Sequence, residues 1–231
     1  MKQILYFGLI ASVFIACSTP GSETKTETVN TQMEDIILQK AIRRGDVGTA
    51  LNNAHIILEK DSTRTGLYDT LFQFYLEMEN PRGVADVGQI ILQHKPNDLN
   101  ILEPTAMGLA AMMEYDKALA LNQRMFAITG DLRLKITIAT LLFEMRKVDE
   151  ARAEIQWIVD HREISDTMKV DQPSPAFGTQ KISMLAVAYY SFGQIEFTLG
   201  NKKEASKYFY KALAIEPRYD MAATAIGEIN K

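Results

Sequence analysis

From Thr31 onward, apolar residues recur every three or four positions, the spacing that lays one stripe along a helix, and no stretch alternates long enough to predict a strand. Ahead of this helical region lies a different pattern. Ile4 to Ala16 is a run of 13 apolar and small residues broken only by Ser12, after the positive start Met1-Lys2-Gln3. A membrane-spanning helix needs roughly 18 or more apolar residues, so the run has the length of a signal-peptide core. Ser18 to about Gln32 is rich in Ser, Thr and Glu and almost without apolar residues. Such a segment cannot bury enough surface to offset its ordering entropy, and it predicts a flexible tether reaching on the order of 20 Å.

The helical region repeats itself. Small residues, once replaced by valine, stand at Ala50, Val84, Ala118, Ala151 and Ala205, at intervals of 34, 34, 33 and 54 residues. Seven residues after each comes Ile57, Ile91, Met125, Ile158 or Ala212, followed at once by Leu58, Leu92, Phe126, Val159 or Leu213. Five residues before each small position a turn is predicted: Gly45-Asp46, Glu79-Asn80-Pro81, Met113-Glu114, Arg146-Lys147 and Gly200-Asn201. A period of this length marks a repeat array in which each helix pair buries its face against the next. The last interval carries an extra 20 residues, and residues 166–185, with Asp171-Gln172-Pro173-Ser174-Pro175 and Gly178, read as a loop. The helix after it is predicted from about Thr179 to Leu199. Met168, Val170 and Phe177 give the insertion apolar points for docking, while the stacking core is expected to lie elsewhere and to survive its removal. Pro104 predicts a helix start near Glu103, or a kink, because proline is tolerated only in the first turn.

The final copy resembles the tetratricopeptide repeat at Tyr189, Gly193, Gly200, Glu204, Ala205, Phe209, Ala212, Leu213 and Pro217. Gly193 and Ala205 would let two antiparallel helices approach closely, and Pro217 would end the second helix. Earlier copies depart from the pattern at Val84, Gly88, Asn122, Ser62 and Glu163. The resemblance implies an all-α, superhelical array of antiparallel helix pairs, with about five repeats at 31–64, 65–98, 99–131, 132–165 and 186–219. It also implies a C-terminal capping helix at 220–231. The domain as a whole is 31–231, after a signal peptide at 1–16 and a tether at 17–32.

Phe14-Ile15-Ala16-Cys17 resembles the lipobox of bacterial lipoproteins, which implies cleavage before Cys17 and lipidation of that residue, palmitate included. Two or three chains anchor stably where one does not. Ser18, by analogy with sorting in Gram-negative bacteria, points to the outer membrane, facing the periplasm. A plain secretory leader or an uncleaved anchor helix are the alternatives. Cys17 is the one cysteine, so an intrachain disulfide and cysteine metal sites are excluded.

The formal net charge of −4, with no basic stripe, argues against nucleic acid and leaves neutral or basic partners. His55, His94 and His161 fall in different repeats with no zinc spacing. No phosphate-binding glycine loop or nucleophile elbow is present, so no cofactor and no enzymatic activity are implied. Trp157 is expected in inter-repeat packing ahead of a sugar platform.

In arrays of this family the concave side, lined by the first helices, is the binding surface. The family's groove positions fall here on Asp35, Gln39 and Arg43; on Asp69, Gln73 and Glu77; and on Met107 and Ala111. Toward the C-terminus they fall on Thr140, Phe143 and Glu144, then on Tyr190, Gln194 and Phe197. The lysine–asparagine clamp for chaperone C-termini is missing at Asp35/Gln39, Asp69/Gln73 and Glu103/Met107. The resemblance therefore implies a membrane-anchored protein–protein interaction scaffold of the bacterial envelope, with the envelope's assembly machinery as the candidate partner. A glycan- or nutrient-binding lipoprotein using Trp157, Tyr190 and the insertion is the alternative.

Overall fold

The structure, a computed structural model, describes residues 30–176 and 178–229; the leader, Cys17, most of the tether and Phe177 lie outside them. Helix α1 (Gln32–Arg44) pairs with α2 (Val47–Lys60), α3 (Gly66–Glu77) with α4 (Pro81–His94), and α5 (Leu99–Ala111) with α6 (Tyr115–Thr129). The fourth pair is α7 (Leu132–Glu144) and α8 (Val148–Asp160). A single turn, α9 (Arg162–Ser165), leads into strands β1 (Lys169–Ser174) and β2 (Gly178–Ser183). The fifth pair is α10 (Met184–Thr198) and α11 (Lys202–Ile215), and α12 (Asp220–Ile229) packs on α11. None of the described helices is long and apolar enough to cross a membrane.

The same turn joins the two helices of every pair. Gly45, Glu79, Met113, Arg146 and Gly200 all take positive φ, at 68°, 49°, 62°, 63° and 82°. In each case the next residue's N–H closes back on a carbonyl five residues earlier. The bonds run from Asp46 to Ala41, Asn80 to Tyr75, Glu114 to Leu109 and Lys147 to Leu142, all at 2.9 Å, and from Asn201 to Glu196 at 2.8 Å. This left-handed cap satisfies the carbonyls at the end of the first helix and reverses the chain. Glycine adopts that conformation freely, whereas a side chain there costs about 1–2 kcal/mol. Met113 is exposed, so little packing offsets the strain. Met113→Gly is expected to raise stability by about 0.5–1 kcal/mol and Gly200→Ala to lower it by about 1 kcal/mol. Denaturation midpoints check both; a destabilised Met113→Gly variant would contradict the turn.

The residues that set the repeat phase form the core. Ala50, Ala118, Ala151 and Ala205 are fully buried, as are Ile57, Ile158 and Ala212, and Val84, Ile91 and Met125 are nearly so. At Gly193 a Cβ would come within 2.4 Å of the Phe209 ring, so the fifth pair closes only because no side chain is there. Gly88, off the family pattern, has an equally local reason: a Cβ would meet Thr105 Oγ1 of the next repeat at 1.9 Å. Asn122, in place of an aromatic, is buried and donates through Nδ2 to the Ala118 carbonyl at 2.8 Å.

Two local expectations are corrected. The helix containing Pro104 starts at Leu99, because the Asp98 carboxylate caps it through the Asn100 N–H and buried Ile101 and Leu102 hold its first turn. Pro104 therefore sits in the second turn, at the cost of one backbone bond to Asn100. The insertion is a β-hairpin, and α10 begins at Met184, five residues later than the pattern suggested. Its strands pair antiparallel, with Val170 opposite Ile182, Gln172 opposite Gln180 and Ser174 opposite Gly178. Val170 and Ile182 enter the same core cluster as Ile138, Ile155, Val187, Tyr219 and Ala222. The hairpin is thus part of the C-terminal core and not a loop outside it. Pro173 is tolerated because a two-stranded ribbon is all edge.

Candidate functional site

The groove positions on the first helices of the pairs divide into three groups. Gln39 and Arg43 line an open depression on α1 with Ile36 and Asp35. Asp35 is already engaged, accepting from Arg64 at 2.8 and 3.2 Å and from Thr31 Oγ1 at 2.9 Å. The Arg64 bond leads in holding its carboxyl below the usual range, against the opposing effect of burial. Asp69 is likewise paired, with Lys95 at 2.9 Å. Gln73 and Glu77 are exposed on α3. Met107 and Ala111 line a shallow groove of about 420 Å³ with Leu76, Val84 and Pro104, where the only polar linings are Glu79 and Asn80.

The C-terminal positions converge. Thr140, Phe143 and Glu144 of α7 and Tyr190 and Gln194 of α10 line one cavity of about 410 Å³. Its apolar lining is Ile136, Ala139, Ile155, Val187 and Ile195, and its polar rim adds Ser191 and Thr198. Gln172 of β1 completes the wall. Phe197 does not join; it packs toward Ala205, Phe209 and Ala225.

Within the cavity the polar groups are ordered but only partly used. Gln194 Nε2 donates to the Tyr190 hydroxyl, and Tyr190 itself packs on Phe209 and Tyr219 with centroids 5.5 and 5.3 Å away. Burial holds the Tyr190 phenol above the ordinary range, with the Gln194 bond acting against it and the Glu228 carboxylate adding to it. The phenol is therefore neutral near pH 7 and keeps its proton to donate. Thr140 and Thr198 spend their hydroxyls on the carbonyls of Ile136 and Gln194, both at 2.9 Å. Glu144 is exposed, is the one charged residue of the lining, and has no ion pair among the described residues.

Gln172, Ser191 and Thr198 are missed by the family's groove positions. Ser191 and Thr198 lie one residue from Tyr190 and four from Gln194 on α10, so helical spacing could have found them. Gln172 carries no such signal, because the prolines beside it give its segment the composition of a loop.

A family model, Tetratricopeptide repeat, matches residues 186–219. Two solved structures share the architecture of the whole array. One is YrrB, described as a TPR protein with an unusual peptide-binding site, at 16% identity and a TM-score of 0.54, covering 87% of this chain and 94% of that one. The other is the MamA protein, at 18% identity and 0.52, covering 81% and 92%.

The array has the tetratricopeptide-type fold.

A MamA from Desulfovibrio magneticus RS-1 is similar at 16% identity and a TM-score of 0.50, covering 82% of the repeat protein and 97% of its own chain. No curated protein matches the sequence. At these identities the likeness is one of fold. Trp157, His161 and His55 are spent on local contacts in the repeat protein, and His94 is exposed at the end of α4. Trp157 stacks on His161 at 3.8 Å, meets Phe126 edge-on at 5.9 Å and carries Lys135 Nζ 5.0 Å from its centroid, and it does not line the cavity. His55 bonds the Tyr75 hydroxyl at 2.8 Å. Among the described residues no cluster of His, Cys, Asp or Glu could hold a metal ion.

Proposed function

We propose that this repeat protein is an interaction scaffold that captures an extended polypeptide segment in the cavity between α7 and α10. The observation that carries the reading is the combination found there: an apolar floor, partly unspent amide and phenol groups, and a single unpaired carboxylate, Glu144. An apolar side chain fits the floor, the peptide groups find donors and acceptors, and a lysine or arginine complements Glu144. The described peptide-binding site of YrrB, on the same fold, supports a peptide as the ligand class.

An array of immobilised 15-residue peptides is the direct test. Wild-type protein is expected to select peptides that join an apolar residue to a cation. Thr140→Trp, which fills the cavity from its exposed rim, is expected to reduce binding by at least about tenfold. Glu144→Lys is expected to weaken cationic peptides several-fold, more strongly at low salt. Peptide binding indifferent to both substitutions would refute the cavity as the site.

The scaffold is further proposed to be lipid-anchored through Cys17 at the outer membrane, facing the periplasm, with envelope assembly machinery as the partner class. The lipobox-like Phe14-Ile15-Ala16-Cys17 and the polar tract after it support this reading. Wild type is expected to incorporate labelled palmitate and fractionate with membranes, and Cys17→Ala to do neither. A wild-type protein that takes up no palmitate and fractionates as soluble would refute the anchor.

A further inference from the structure

The hairpin stands at the junction of the fourth and fifth pairs, and among the described residues no other junction carries a strand. The groove between the second and third pairs is formed by helices and their connecting turn alone, and its lining is almost wholly apolar. At the junction of the fourth and fifth pairs, a strand brings a carboxamide, Gln172, into the cavity wall.

The hairpin is held firmly enough to aim that side chain. Val170 and Ile182 fix its inner face in the core. Its polar edges are clasped by the turn between α11 and α12. The Asp220 carboxylate accepts from Ser174 Oγ at 2.7 Å and from the Ala176 N–H at 3.0 Å, which hold its carboxyl below the usual range. Gln180 donates to the Arg218 carbonyl at 2.8 Å and accepts from the Asp220 N–H at 3.1 Å. Glu216 takes the Ser183 N–H at 3.1 Å and pairs with Lys169.

Gln172 itself is oriented from behind. The fully buried Tyr219 donates to its Oε1 at 3.3 Å, and its Nε2 donates to the Asp171 carbonyl at 3.2 Å. A carboxamide has two donors and two acceptor lone pairs, so one N–H and one lone pair remain. That is the complement of a single peptide group, and the side chain is already immobilised to meet it.

Resting on the peptide-capture reading above, we propose that the β1–β2 hairpin is the specificity element of this site and that Gln172 reads a backbone peptide group of the captured segment. The helices supply the apolar floor and the charge at Glu144. The hairpin supplies a neutral hydrogen-bonding wall, which selects an extended segment with an accessible backbone.

The test uses the same peptide array with the full-length protein, Gln172→Ala and Gln172→Glu. Gln172→Glu is isosteric and keeps an acceptor for the Tyr219 hydroxyl, so the hairpin clasp is retained. Gln172→Ala is expected to weaken the best wild-type peptides by about five- to tenfold when binding is measured well below the melting temperature, which falls modestly because the Tyr219 hydroxyl loses its acceptor. Gln172→Glu is expected to reorder the array toward peptides carrying a second lysine or arginine. A purely structural hairpin residue would leave that ranking alone. If Thr140→Trp abolishes binding while both Gln172 variants keep the wild-type ranking and affinity, the role of the hairpin is refuted and the cavity stands. If wild type selects no peptide, or Thr140→Trp has no effect, both readings fall together.

Discussion

Replacing Ile182 by alanine is expected to destabilise the C-terminal half of the protein by about 3 kcal/mol, and exchanging residues 168–178 for a Gly-Ser linker to cost still more. Ile182 is buried beside Val170, Val187 and Ala222, and truncating a buried isoleucine to alanine costs about 2–5 kcal/mol through lost transfer energy and the cavity left behind. The linker exchange removes Val170 and the Asp220 clasp together, a loss on the scale of a domain's entire stability of roughly 5–15 kcal/mol. The core is divided, with one large cluster spanning the first three pairs and another spanning the fourth pair, the hairpin, the fifth pair and α12. Repeat arrays unfold as coupled neighbours, so the damage is expected to appear as an earlier melting step confined to one half. Circular dichroism melts of the three proteins read this. A linker variant that melts with wild type would mean that the hairpin is surface decoration.

The second large effect is expected at Arg152. Its guanidinium on α8 donates to Glu196 Oε1 on α10 at 2.5 and 3.0 Å, and Asn201 Nδ2 holds the other carboxylate oxygen at 2.8 Å. Glu196 is buried, at 6% exposure, while Arg152 is partly open to solvent. The pair joins the fourth helix pair to the fifth at the junction the hairpin interrupts in sequence. Arg152→Ala strands a buried carboxylate and is expected to cost about 3 kcal/mol. The double change Arg152→Met, Glu196→Leu removes both charges and is expected to recover most of that loss. A single-variant cost below about 1 kcal/mol would class the pair with ordinary surface bridges.

What the sequence disclosed follows from what each position must do. The repeat phase was legible because a helix pair stacks only if one position is small and the residue seven further on is apolar; Ala50, Ala118, Ala151 and Ala205 and their partners meet that demand. The family's groove positions, carried across on that phase, include Thr140, Glu144, Tyr190 and Gln194, and these four line one cavity. At the N-terminal end the same phase does not reveal that Arg64 and Lys95 bind Asp35 and Asp69, because those partners come from the chain beyond the second helix of each pair. The hairpin was hidden by its own chemistry. Each strand buries one large apolar residue, Val170 or Ile182, and Pro173, Pro175 and Gly178 between them obey every rule for a loop. The core beneath Val170 and Ile182 and the polar clasp from 216–220 together make so weak a pattern a stable ribbon.

The central claim is that a polypeptide partner is held in the cavity between α7 and α10. A photo-crosslinking amino acid placed at Thr140 or Gln194, and separately at exposed Lys203 on α11, tests this most directly in the full-length protein in cells. The account predicts that Thr140 and Gln194 crosslink the same polypeptide through one short segment of it, and that Lys203 does not. Crosslinks from Lys203 with none from Thr140 or Gln194 would contradict it.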